Sequence, residues 1–171
     1  GLVPIIAEVK RASPSGDLRP GLNVAEVCAE MVDGGAAAIS VLTEPNFFKG
    51  SLGDLAKAAE AVDVPILMKD FVVSRRQIEI GRSCGADAVL LVVKLLEDWE
   101  LRELIEAAEG LGMEALIEVH DAEDLDRALS IKPRPRLLGI NNRDLRTLSV
   151  DLRTFEELSP MVPKGILKVA E

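Results

Sequence analysis

The chain has 171 residues, 48% hydrophobic and 29% charged, the composition of a globular protein long enough to bury a sizeable core. Its formal net charge of -9 excludes a general nucleic-acid surface, which needs a concentrated basic face, and its 3% aromatic content excludes extended base stacking. No apolar run approaches the roughly 20 residues of a membrane-spanning helix, and the first residues lack the pattern of a secretory signal.

In chain order, short β-branched or Leu-rich runs predict strands over 4–10, 37–42, 64–69, 87–93, 114–119, 136–140 and 166–171. Between them, amphipathic stretches predict helices over 23–33, 51–62, 74–84, 97–110, 121–130 and 151–159. Asn23, Ser51, Ser74, Asp121 and Asp151 stand where N-caps are expected. In "DGGAAAISV", "SCGADAVLLV" and "GLGMEALIEV" a Gly stops a helix just before a strand begins. Cys28 and Cys84 fall in different expected helices, with no Cys or His at metal-ligand spacing. They are read as reduced, and the location as cytoplasmic.

Strict β-then-α alternation without a linker means a parallel α/β fold, either a closed barrel or a doubly wound sheet. The two differ in where polar residues fall, because a barrel delivers side chains to one mouth from nearly every strand. Here the strand ends carry Glu8 and Lys10, Thr43, Lys69 and Asp70, Lys94, Glu118 and His120, Asn141 and Arg143, and Glu171. No Gly-x-Gly-x-x-Gly or P-loop pattern follows the first strand. The expected fold is therefore a (β/α)8 TIM barrel, incomplete with seven strands and six helices, forming one domain over residues 1–171.

A lone charge at a strand end usually begins a solvated loop; six such ends in one sheet strain that explanation. Lys10, Lys69 and Arg143 form an expected positive pocket for a phosphate or carboxylate. Glu8 and Glu118 supply carboxylates for proton transfer beside those lysines, and Asn141 is suited to a hydroxyl or a developing oxyanion. His120 is read as a cap or loop residue, with proton transfer as the alternative, and Lys94 is divided between surface and site. The loop "RASPSGDLRPGL" exceeds the usual two to six residues of such a connection and is expected to cover a ligand. In "TEPNFFKGS", Phe47 and Phe48, two of the chain's four Phe residues, are expected to wall an aromatic substrate.

The stretches "IIAEVKRASPSG", "SVLTEPNFFKGSL", "VPILMKDFVV", "GADAVLLVV", "ALIEVHD", "GINNRDLRTLSVD" and "KVAE" together resemble the indole-3-glycerol phosphate synthase family of tryptophan biosynthesis. The resemblance implies a carboxy-lyase that closes 1-(2-carboxyphenylamino)-1-deoxyribulose 5-phosphate to indole-3-glycerol phosphate, releasing carbon dioxide and water. It implies Lys69 as general acid at the carbonyl oxygen, Glu118 as base in the dehydration, and Glu8, Lys10 and Asn141 as further catalytic residues. Ser13, Phe48, Phe71, Arg143 and Glu171 are implied as substrate-binding residues. No metal or organic cofactor is implied, and the partner is a small phosphorylated aromatic molecule, with no nucleic acid or membrane.

Against the family pattern, the chain is expected to lack an N-terminal helical extension and the last βα units. The loops that usually grip phosphate follow strands seven and eight. Open edges at the first and seventh strands carry the expectation of self-association and of a weak catalyst. A non-catalytic barrel fragment serving as a folding or assembly unit is the alternative. A phosphoribosylanthranilate isomerase is disfavoured, because that family is expected to place a Cys where this chain has Glu8-x-Lys10.

Overall fold

The computed structural model describes residues 4–13, 16, 17, 19, 21–145 and 147–171. The chain divides into two compact units, residues 1–71 with 76–89, and residues 72–75 with 90–171.

The first unit contains strands β1 (Ile6–Val9), β2 (Ala38–Leu42) and β3 (Ile66–Lys69), and the start of β4 (Ala88–Val92). All pair in parallel, in the order of the chain. The register sets Glu8 beside Ser40, Ser40 beside Leu67, and Leu42 beside Lys69. Because side chains alternate along a strand, Glu8, Ser40, Leu42, Leu67 and Lys69 leave one face of this sheet. The other face carries Val9, Ile39, Val41, Ile66, Met68 and Val89, all at most 4% exposed.

Helices α1 (Val24–Asp33), α2 (Leu52–Ala61) and α3 (Arg75–Ser83) follow β1, β2 and β3. They bury Val24 and Cys28, Leu55 and Ala58, and Ile78 and Gly81. Gly81 shows which sheet face α3 covers, because a Cβ there would stand 2.5 Å from the Met68 sulfur. Ser51 caps α2 as expected, its hydroxyl accepting from the Asp54 N–H at 3.0 Å. Asn23 does not cap α1: its side chain makes no cap hydrogen bond and its amide donates to Glu26 instead.

The second unit contains the end of β4, a 3-10 turn (Val93–Leu95), and α4 (Asp98–Gly110). Strands β5 (Glu114–Val119), β6 (Leu137–Ile140) and β7 (Leu167–Ala170) alternate with α5 (Ala122–Ser130) and α6 (Arg153–Leu158). Leu101, Leu104, Ile105 and Ala108, spaced three and four apart, give α4 its buried face. A capping box of Glu97 and Glu100 starts that helix, a signal absent from the expected caps. Asp121 caps α5 by accepting from the Asp124 N–H. At α6 the cap residue is Leu152 rather than Asp151, although the Asp151 carboxylate still accepts from the Arg153 N–H at 3.0 Å.

Parallel pairing sets Glu118 beside Gly139 and Gly139 beside Val169. Ile117, Val119, Leu138 and Ile140 are fully buried on the opposite face. β7 is the most exposed of these strands, with Leu167 at 61%. Among the described residues, no helix is long and apolar enough to cross a membrane. The helix stops fall where Gly predicts them, with Gly35, Gly85 and Gly112 all at positive φ. The sequence reading missed a short antiparallel ribbon, in which Ala12 and Ser13 pair with Asp17 and Gly16.

Candidate active site

In the first unit, one carboxylate organises two lysines. Lys10 Nζ donates to Glu8 Oε1 at 2.6 Å, and Lys69 Nζ lies 3.1 Å from Glu8 Oε2. The grouping follows from the fold, because Glu8 and Lys10 are two residues apart at the end of β1. Lys69 ends β3 on the same face, two strands away. Burial opposes the charge of Glu8, yet the nearby Lys69 and Lys10 ammoniums outweigh it and hold the carboxyl below the usual carboxylate range. All three side chains stay partly open, between 22% and 34% exposed, as a group that meets a ligand must. The expectation that these charges leave one face together is met.

Beside them, the Thr43 hydroxyl donates to Asp70 Oδ2 at 2.7 Å, linking the ends of β2 and β3. The Phe48 and Phe71 rings lie 6.4 Å apart and tilted by 56°, within the distance at which aromatic pairs attract. Phe47 is 60% exposed, so Phe48 is the loop's inner ring.

Two acidic residues that sequence reasoning missed hold these loops. Glu44, 6% exposed, accepts from the backbone N–H groups of Asn46, Phe47 and Phe48 at 2.6–3.1 Å. Burial works against its charge, and those three N–H groups more than offset it, so its carboxyl is lowered. Asp54, in the first turn of α2, takes the Arg11 guanidinium with both oxygens at 2.8 Å. That hydrogen-bonded pairing lowers the Asp54 carboxyl against the effect of burial. With the Ala12 N–H bonded to the Phe48 carbonyl at 3.2 Å, it ties the first loop, where Ser13 sits, to the second. No local signal could reveal a pair 43 residues apart.

In the second unit, Glu118 is 2% exposed on β5 and His120 is 8% exposed just beyond it. His120 Nε2 lies 3.1 Å from Glu118 Oε1, and Nδ1 lies 3.5 Å from Asp124 Oδ2. Burial disfavours the imidazolium, but Asp124 and Glu118 outweigh it and raise the His120 pKa to about 9. His120 thus lies in the connection between β5 and α5, as expected, with its side chain turned into a buried ion cluster. Lys94 belongs to the same cluster, paired with Asp121 and 3.7 Å from Asp124. Asp124 was missed, although its place four residues after His120 and in the first turn of α5 was a usable signal.

Glu118, Gly139, Asn141 and Glu171 share one face by register and alternation. A Cβ at Gly139 would take the place of the Glu171 carboxylate, which lies against this strand. The Asn141 side-chain oxygen accepts from the Arg143 N–H at 2.9 Å, and the Arg143 guanidinium donates to the Leu148 carbonyl at 2.8 Å. Asn142, which the reading passed over, donates to the Glu171 carbonyl and accepts from the Phe155 N–H. It pins the end of β7 and the start of α6 to β6. Of the expected positive pocket, Lys10 and Lys69 are brought together in the first unit. Arg143 lies in the second, exposed, with its guanidinium held by its own loop.

Known proteins are similar to this chain along its whole length. The chain is 51% identical over 170 residues to an indole-3-glycerol phosphate synthase of Parafrankia sp. (strain EAN1pec), 48% to that of Mycobacteroides abscessus and 47% to that of Bordetella pertussis. The aligned region covers 99–100% of the chain and 62–65% of those proteins. The chain therefore spans a little under two thirds of the length of these relatives. Solved structures share the fold at low identity. A native KDPGal structure matches with a TM-score of 0.63 at 17% identity, covering 98% of this chain and 71% of the other. A dihydrodipicolinate synthase of Agrobacterium tumefaciens matches with a TM-score of 0.58 at 15% identity, covering 96% and 62%. Among the described residues, the seven strands of the parallel sheet and the six intervening helices are those of an incomplete (β/α)8 barrel. The model of the family described as indole-3-glycerol phosphate synthase matches residues 1–171, from end to end, and the chain belongs to that family.

Proposed function

We propose that this chain carries the ring-closing chemistry of its family, converting 1-(2-carboxyphenylamino)-1-deoxyribulose 5-phosphate to indole-3-glycerol phosphate. The observation that carries the reading is the Glu8 carboxylate, whose two oxygens hold Lys10 and Lys69 at the ends of β1 and β3. Closure joins the ring carbon that bears the carboxylate to the ketone carbon, and the carbonyl electron pair moves onto oxygen. Lys69 supplies the proton that this oxygen needs, and Lys10 stands for the substrate carboxylate. Loss of carbon dioxide returns its bonding pair to the ring. The hydroxyl then departs as water on a second proton, given by an ammonium of the Lys10 and Lys69 pair, and Glu118 takes a proton from the methylene carbon beside nitrogen, which completes the indole.

Asn141 serves the substrate hydroxyls in this reading. Phe48 and Phe71 offer an apolar rim to the anthranilate ring, while Ser13, Arg143 and Glu171 contact the rest of the ligand. The test is the appearance of indole fluorescence when the purified protein meets the substrate, compared with Lys69→Ala and Glu118→Gln. Turnover lost in both variants with substrate affinity retained supports the roles; normal turnover in either removes that residue from the chemistry.

A further inference from the structure

We propose that His120 is a positioning residue for this reaction, its imidazolium holding the buried Glu118 carboxylate ionised and in place. The inference rests on the base role given to Glu118 above. A carboxylate with a side chain only 3% exposed is costly to ionise unless a partner or hydrogen bonds compensate. His120 is such a partner, with Nε2 3.1 Å from Glu118 Oε1 and its own side chain 2% exposed. Neither ring nitrogen is open to solvent, and both meet their carboxylates off the ideal hydrogen-bond line, so the contact is chiefly charge on charge.

The imidazole is held from behind. Asp124 Oδ2 accepts from the His120 backbone N–H at 3.0 Å and lies 3.5 Å from Nδ1. Lys94, on the 3-10 turn after β4, approaches that same oxygen at 3.7 Å and pairs with Asp121. Lys94, Asp124, His120 and Glu118 therefore form a row of alternating sign running inward to β5. Other groups among the described residues also flank the row. Arg127, one turn along α5, is taken up by Asp98 and the Val93 and Leu96 carbonyls, and β6 presents only Gly139 and Asn141. Glu171 is the other carboxylate on the Glu118 face, and its negative charge would disfavour the Glu118 anion, which adds to the need for His120. Such an arrangement keeps a proton acceptor empty at neutral pH without exposing it to water.

The protein has one histidine, so imidazole signals in an NMR titration have a single source. Both ring nitrogens should be protonated at pH 7. Glu118→Gln and Asp124→Asn should each lower the titration midpoint by about one pH unit or more, since an opposite charge within 4–6 Å shifts a group by about 1–3. The acid limb of the kcat/KM profile for ring closure should move upward by about one unit in His120→Gln, with KM little changed. A merely structural histidine would not move that limb. If His120→Gln does not fold, the imidazole midpoints of the parent and of Glu118→Gln, which leave His120 in place, carry the test, and equal midpoints overturn the inference.

An imidazole that is neutral at pH 7 overturns the inference. So does an unmoved acid limb while Glu118→Gln abolishes turnover, and in that case the base role itself survives. Parental turnover in Glu118→Gln removes the base role and this inference with it.

Discussion

Lys69 Nζ stands 3.1 Å from one oxygen of Glu8, while the other oxygen holds Lys10, so the proposed acid and its neighbour share a single anchor. Lys69→Ala should lower kcat by about 10²–10⁴-fold, the usual contribution of a positioned proton donor, with a smaller change in KM. Glu8→Gln should lower kcat as well, because both ammoniums lose the charge that orients them. Steady-state indole fluorescence measures both. Equal kcat in Glu8→Gln and the parent would separate Glu8 from the chemistry.

Stability should depend on pH through His120. Its pKa is raised from 6.5 to about 9, so the folded form binds this proton more tightly than the unfolded chain does. The resulting stabilisation is fully present below pH 6.5 and is lost as pH rises through 9. Its size is on the order of 3 kcal/mol, from the shift in pKa at 1.36 kcal/mol per unit. Urea unfolding at a series of pH values should show this decline in the parent and a much flatter dependence in His120→Gln.

Gly139→Ala should act through Glu171 rather than through the sheet. The new Cβ would take the position of the Glu171 carboxylate, the far end of a flexible side chain that can swing aside, so the cost in stability should be small. The expected result is impaired turnover with Tm little changed, because Glu171 must leave its place beside β6. A crystal structure of the variant with Glu171 unmoved would contradict this account.

Asp54→Ala should cost about 2 kcal/mol, since it removes a charge-assisted, two-pronged hydrogen bond to Arg11. Arg11→Ala should cost a similar amount, and the double variant little more than either alone. A double-mutant cycle in urea reads that coupling directly, and full additivity would mean that the pair contributes little.

The strands and helices were legible because apolar period and glycine stops act over a few residues. β5 matches its expected bounds, and the strand-end charges Glu8, Lys10 and Lys69 do leave one face. Asn23 illustrates the limit of local signals: the residue type suits a cap, but its amide found Glu26 one turn along. Arg11 with Asp54, and Asn142 with the end of β7, depend on contacts between segments that only the folded sheet brings together. His120 is the loop residue its position suggests, but the burial of its ring between Glu118 and Asp124 depends on how α5 turns back onto it.

Glu44 gathers the N–H groups of Asn46, Phe47 and Phe48 around one carboxylate. The backbone turn that presents Phe48 to Phe71 is therefore built on an anion. A greasy contact is held up by a charge beneath it, and acid strong enough to neutralise Glu44 would unseat the ring without altering any apolar group.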